Sequence, residues 1–373
     1  MNTDALLQPH ITDRESLQEF ADNLTDQIPL IERDIARLER TPNDKTLIAD
    51  LFRALHNIKG DASISQVELG VLITHPVETL LSRLRTGEIA FTELLAEVVL
   101  LAMDRLELAI EALVGNRPLT HLKLVELVGG LEKLAALAPP ALAEGSIQLI
   151  EAVTGFRPAR HASLRSNTPK PVTPVTPATQ PRPGNAAADL PFFRSLALQF
   201  ETRSPLFLGR SERLLKLALD TNQDAGNPVD PLQLEAAVYV HDIGMMFLPE
   251  QVWLKAGKLS EQNKLLLQGH PIQAAGLLER MAGWQGAAEI VAQHHEMPDG
   301  GGYPKQLEND QICAGAKILA IVDAFEAVTL KHGDRGRTRS IVRAIAEVNA
   351  CDNQFAPEWI LSFNAVIRRL VET

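Results

Sequence analysis

The chain is poor in the residues that build sheets, covalent staples or membrane spans. Aromatics make up 5% of its 373 residues, with two tyrosines, while Leu and Ala dominate the apolar fraction, which favours helix over β-structure. The two cysteines, Cys313 and Cys351, fit a reducing compartment with no disulfide framework, and neither lies in a metal-type Cys pair. The longest apolar stretch, near Ala96–Met103, is far shorter than a bilayer span, and the first residues are acidic rather than signal-like. A cytoplasmic protein without membrane insertion is the expectation. Nor is there a basic surplus: the net charge of −11 argues against nucleic acid as the main partner.

The length favours more than one domain. Before residue 156, apolar residues recur at helical spacing, as in Leu47, Leu51, Leu55 and Ile58, then Val77, Leu80, Leu81 and Leu84, then Leu94, Leu95, Val98 and Leu101. The pattern predicts amphipathic helices broken at Gly60–Ala62, Thr86–Gly87 and Gly115–Asn116, with a kink or fresh start at Pro29. Short connections force neighbouring helices to run antiparallel, so a four-helix bundle is expected, with one or two further helices over 119–153. A Pro/Thr/Arg-rich stretch that cannot bury a core then reads as a linker. The predicted organisation is a helical bundle at 1–155, a linker at 156–188 and a second helical domain at 189–373, an all-α chain throughout.

Two constellations carry chemistry. The first is Arg53-Ala54-Leu55-His56-Asn57-Ile58-Lys59-Gly60, in which Lys59 and Gly60 share one helical face with His56. An exposed imidazole can accept a phosphoryl group, a nearby ammonium balances its charge, and a glycine leaves room for an incoming protein. Glu78, on the next helix, is placed to hydrogen-bond the other ring nitrogen. His75 lies near Glu78 but lacks the Lys-Gly partners and reads as structural. With Thr74-His75-Pro76-Val77-Glu78-Thr79-Leu80-Leu81 and Arg83-Leu84-Arg85-Thr86-Gly87, this region resembles the histidine phosphotransfer (HPt) domain that begins chemotaxis histidine kinases. The resemblance implies that His56 takes a phosphoryl group and passes it to a receiver-domain aspartate, with Lys59, Gly60 and Glu78 in support. Glycine-rich kinase boxes do not follow, so the phosphoryl group must come from another protein.

The second is His241-Asp242-Ile243-Gly244, then His270, then His294-His295-Glu296-Met297-Pro298-Asp299-Gly300-Gly301-Gly302-Tyr303-Pro304, then Asp323 in an apolar run. Imidazoles and carboxylates in this mix hold one or two transition metals and activate water. The order and spacing resemble the HD-GYP family, helical HD-superfamily phosphohydrolases that cleave cyclic di-GMP on a metal cluster. The resemblance implies His241, Asp242, His270, His294, His295 and Asp323 as ligands, with Gly302, Tyr303 and Pro304 shaping the site or docking diguanylate cyclase-type proteins.

The chain also departs from that pattern. Where relatives carry a metal-binding histidine on the domain's first helix, it has Arg210, and arginine does not ligate metals. Leu206 stands at an alternative glutamate position, and Met245 replaces the lysine after His-Asp-Ile-Gly. Arg335 keeps the second of two basic positions past Asp323, and His332 replaces the first. These losses fall on the metal position built from His241, Asp242 and Asp323. One divalent ion rather than two or three is therefore expected, at Asp242, His270, His294 and His295, with iron or manganese ahead of zinc. Arg210 and Arg335 become candidates for phosphodiester binding.

The chain thus reads as a phosphorelay protein with a divergent HD-GYP output that binds metal and either cyclic di-GMP or a partner, with weak or no hydrolysis. The alternative is an active metal-dependent cyclic di-GMP phosphodiesterase gated by the relay. The implied partners are a sensor histidine kinase, a receiver-domain response regulator and a second copy of the chain.

Overall fold

The computed structural model describes residues 6–9, 11, 13–158, 186–254, 259–330, 340–351 and 354–372. Most of the predicted linker, 159–185, lies outside these residues, as does Arg335. The described residues are helical, with a lone bridge between Asp299 and Glu308 and no strand, as the composition predicted. Among them, no helix is long and apolar enough to cross a membrane.

Residues 6–158 and 340–350 form one compact unit. Its helices are α1 (Arg14–Arg40), α2 (Lys45–Ile64), α3 (Glu68–Arg85), α4 (Glu93–Val114), α5 (Leu124–Ala136) and α6 (Leu142–Thr154). Asp13, Asp44 and Thr92 cap α1, α2 and α4 by accepting from backbone N–H groups of the first turn. Leu51, Leu55 and Ile58 of α2 are fully buried, each contributing about 1.5–3 kcal/mol over an exposed position.

Two predicted breaks are not where the sequence suggested. α1 passes unbroken through Pro29, because Leu24, Ile28, Ile31 and Ile35 form one buried stripe whose packing outweighs a lost backbone bond. α2 runs through Gly60 to Ile64, and the chain turns at Gln66, which adopts positive φ. Glycine costs a helix about 1 kcal/mol relative to alanine, which buried neighbours such as Ile58 and Ala62 offset. The breaks near Thr86–Gly87 and Gly115–Asn116 stand, with Gly87 and Asn116 in left-handed conformations.

The second unit comprises the described residues in 186–330 and 351–372. It holds α7 (Ala186–Glu201), α8 (Arg210–Asp224), α9 (Pro231–Val240), α10 (Glu250–Trp253), α11 (Glu261–Leu267), α12 (His270–Glu279), α13 (Gln285–Gln293), α14 (Ala314–Leu330) and α16 (Pro357–Glu372). α9 packs against α7, α8 and α13. Trp284 is fully buried, edge-on to Phe193, and its indole N–H donates to Asp189 at 2.8 Å.

The predicted second domain, 189–373, included everything after the linker. The remaining helix, α15 (Ile341–Asn349), groups with the first unit, where it packs against α4 and α6. The reason is a buried arginine, Arg343, whose partners Asp104 and Glu32 lie on α4 and α1.

After α9 the chain makes a tight turn, Ile243–Phe247, that lies directly on the start of α12. A Cβ on Gly244 would sit 2.2 Å from the carbonyl oxygen of His270, so only glycine fits. Gly244→Ala is expected to destabilise the second unit by about 1–3 kcal/mol, read as a lowered thermal midpoint.

Candidate phosphoacceptor and metal centre

His56 lies on α2 with its side chain 61% exposed. Its Nδ1 is 2.6 Å from Oε1 of Glu78 on α3. Because a carboxylate only accepts, Nδ1 carries the proton, and Nε2 keeps its lone pair for an electrophile. Lys59 donates to the other oxygen of Glu78, so the ammonium stands beside the imidazole and is anchored by the same carboxylate. Burial alone would raise the Glu78 pKa, but the hydrogen bonds from Lys59 and His56 hold it below the ordinary carboxylate value. A Cβ on Gly60 would meet nothing within 4 Å, so packing within the chain does not require glycine there and the surface before His56 is open. His75 is exposed on α3. Sequence reasoning missed Phe52, one turn before His56, whose ring stacks on the imidazole at 6.2 Å and carries the Arg85 guanidinium 4.0 Å from its centre.

The second cluster draws on five separate segments. His241 and Asp242 follow α9, His270 opens α12, His294 and His295 follow α13, Asp323 lies on α14, and Arg210 is the first residue of α8. The six predicted ligands fall into two triads, His270–His294–His295 and His241–Asp242–Asp323, each with its ligand atoms within 4.8 Å of one another.

Arg210 fills the second triad. Its guanidinium donates to Asp242 Oδ2 at 2.7 Å and to Asp323 Oδ1, and lies 3.5 Å from His241 Nε2. Burial disfavours the cation, but the two carboxylates more than compensate and raise its pKa. Burial is likewise the largest influence on His241, yet Asp242 and Asp323 lift its pKa to about 9. Burial pushes the carboxyl pKa values up, but His241 and Arg210 hold Asp242 well below the usual range, and Arg210 and His241 do the same for Asp323.

The first triad is electrostatically opposite. Burial, reinforced by neighbouring imidazoles, pulls His294 well below the ordinary histidine value and His295 to about 4, and it also lowers His270. Three neutral imidazoles are what a metal requires. Nδ1 of His270 donates to Leu267 O and that of His294 to Val291 O, both at 2.6 Å, leaving each Nε2 as the free donor atom. Those Nε2 atoms lie 3.4 Å apart. Oδ1 of Asp242 is buried without a hydrogen-bond partner among the described residues and lies 3.5 Å from His270 Nε2. An orphaned carboxylate oxygen beside converging imidazole lone pairs fits a cation, so these residues suit a transition metal.

The Gly302-Tyr303-Pro304 turn closes over this triad. Tyr303 stacks on His295 at 4.8 Å, and its backbone N–H donates to the His295 carbonyl at 3.1 Å. A Cβ on buried Gly302 would lie 2.3 Å from the Met297 nitrogen, while Pro304 is exposed. Two acids to which residue pattern assigns no role hold this architecture. Glu296 accepts from the backbone N–H groups of Lys305 and Leu307 at 2.6 and 2.9 Å and fastens the turn. Glu201 accepts from Gly209 and Ser211 at 2.7 and 2.8 Å, bracketing Arg210 at the start of α8. Glu296 could have been suspected from its place after the histidine pair. Glu201 had no such signal, since its partners are backbone groups across a turn. Leu206 and Met245 are half-buried and donate no polar group here.

Residues 15–115 match the family described as the Hpt domain, and residues 197–355 match the HD domain. A 3′3′-cGAMP-specific phosphodiesterase of Vibrio cholerae serotype O1 is 31% identical over 140 residues, 36% of this chain and 32% of that protein. A cyclic di-GMP phosphodiesterase of the same organism is 35% identical over 140 residues, covering 35% and 28%. A cyclic di-GMP phosphodiesterase response regulator of Xanthomonas campestris pv. campestris is 37% identical over 97 residues, 26% of each. The chain thus spans about a third or less of the length of these curated relatives.

Arg210→Ala would leave Asp242 and Asp323 facing each other without their cation. The second unit should then lose about 3 kcal/mol, checked by denaturant titration in metal-free buffer. For Glu78 the sign follows from its depressed pKa: its contribution is present above the unfolded carboxylate value of 4.5 and is lost as the pH falls through the folded value. Glu78→Gln should therefore flatten the acid limb of the first unit's stability profile below about pH 4.5 and slow phosphoryl uptake by His56 at neutral pH.

Proposed function

We propose that this chain, which joins an Hpt domain to an HD domain, is a phosphorelay protein whose output is a divergent HD-GYP-type site with one metal position. On this reading His56 receives a phosphoryl group from a histidine kinase or response regulator, with Nδ1 held by Glu78 and Nε2 as the accepting atom. Asp242, His270, His294 and His295 would hold a single divalent transition metal, iron or manganese ahead of zinc. When bound, such an ion supplies Lewis-acid polarisation of a phosphoryl oxygen. Arg210 contributes a fixed positive charge beside it, suited to a phosphodiester such as that of a cyclic dinucleotide.

The observation that carries this reading is the position of the Arg210 guanidinium, bonded to Asp242 and Asp323 and beside His241. A second cation there would meet a buried positive charge at short range, which in a low-dielectric site is strongly disfavoured. With Met245 at the position where the HD-GYP resemblance implies lysine, the site is built to bind a phosphodiester with weak or no hydrolysis. Gly302, Tyr303 and Pro304 close the site and offer a surface to diguanylate cyclase-type proteins. The relatives' names favour a second reading, an active cyclic di-GMP phosphodiesterase gated by His56.

The two readings separate on metal content and turnover. Protein loaded anaerobically with iron or manganese should hold one ion per chain and bind cyclic di-GMP with little hydrolysis. Arg210→His should raise the stoichiometry towards two and turnover at least about tenfold. Efficient hydrolysis by the unaltered protein, abolished by Asp242→Ala, would establish the second reading instead.

A further inference from the structure

The HD-domain match at 197–355 runs through α15, yet α15 is part of the phosphoacceptor unit. Its attachment is specific. Ser340 caps the helix by accepting from the Arg343 N–H at 3.2 Å, and its hydroxyl donates to Glu97 of α4. Arg343, 2% exposed, makes a two-pronged bond to Asp104 of α4, with Nε to Oδ2 at 2.6 Å and Nη2 to Oδ1 at 2.7 Å. Nη2 also donates to Glu32 of α1 at 3.1 Å. In return Arg105 donates to the Ala346 carbonyl at 2.9 Å, near the end of α15 where helical carbonyls need partners. Glu32, Glu97 and Asp104 are all buried, so the bundle presents a concentrated negative face inside an apolar surround. A planar guanidinium is the group that best matches such a face, and Arg343 supplies it from some 240 residues further along the chain.

We propose that α1, α4 and α6 form a receptor groove for α15, and that this docking holds the later part of the chain to the phosphoacceptor fragment independently of residues 159–185. The occupant is this chain's own 340–350, selected by charge complementarity and by the paired caps at its two ends. The route is short. α14, which carries Asp323, ends at Leu330, and α15 begins at Ile341. Along the chain, α15 is thus the next helix after the one that carries Asp323.

The test uses the full chain with a site-specific protease sequence inserted within 159–185. After cleavage, the fragment bearing α7–α16 should remain bound to the phosphoacceptor fragment through size-exclusion chromatography at micromolar concentration. Arg343→Glu should weaken that association at least about a hundredfold, as expected for breaking a buried charge pair. Combining it with Asp104→Arg should restore binding by reversing the pair. Arg343→Lys, which keeps the charge but loses the planar fork, should cost about tenfold and serves if the charge reversal misfolds. Wild-type fragments that separate on cleavage overturn the proposal. So do Arg343→Glu or Arg343→Lys fragments that stay together with unchanged affinity.

Discussion

The candidate metal centre is organised around one shared cation. Arg210 bonds Asp242 and Asp323 at once and lies beside His241. Two carboxylates this close would repel and neutralise by taking up protons, but the guanidinium keeps both ionised. His241, facing that pair, is drawn towards its charged form, while burial and the neighbouring imidazoles keep His294 and His295 neutral. The site is thereby divided into an ion-paired half and a ligand-ready half. Glu201 makes this possible, since it holds the backbone on both sides of Arg210.

The phosphoacceptor repeats the logic with a carboxylate at the centre. Glu78 bonds His56 through one oxygen and Lys59 through the other. One group therefore chooses the histidine tautomer and positions the balancing charge. The imidazole itself stays exposed, as a group that must meet a protein partner has to be.

Much of this molecule is legible in its residue order. The helical periods and the turns at Gly87 and Asn116 are local signals, and local physics decides them. His56 and Glu78 can be paired because helix spacing and a short connection bring their faces together. The opposition of Arg210 to Asp242 and Asp323 can be inferred only because a family resemblance places a metal ligand at position 210. Pro29 and Gly60 mislead for a single reason: each weakens a helix locally, while the buried stripe on the same helix is worth more.

Sequence alone determined the all-helical class and the two chemical constellations, because these follow from residue type and spacing, and the family resemblance marked the arginine at position 210. Tertiary structure alone decided the roles of Glu201 and Glu296, whose partners are backbone N–H groups brought near by turns. It alone decided that α15 joins the phosphoacceptor unit. Asp104 and Arg343 carry no mark of each other in the sequence, since a buried ion pair depends on where two chain segments meet in space and not on how far apart they lie along the chain.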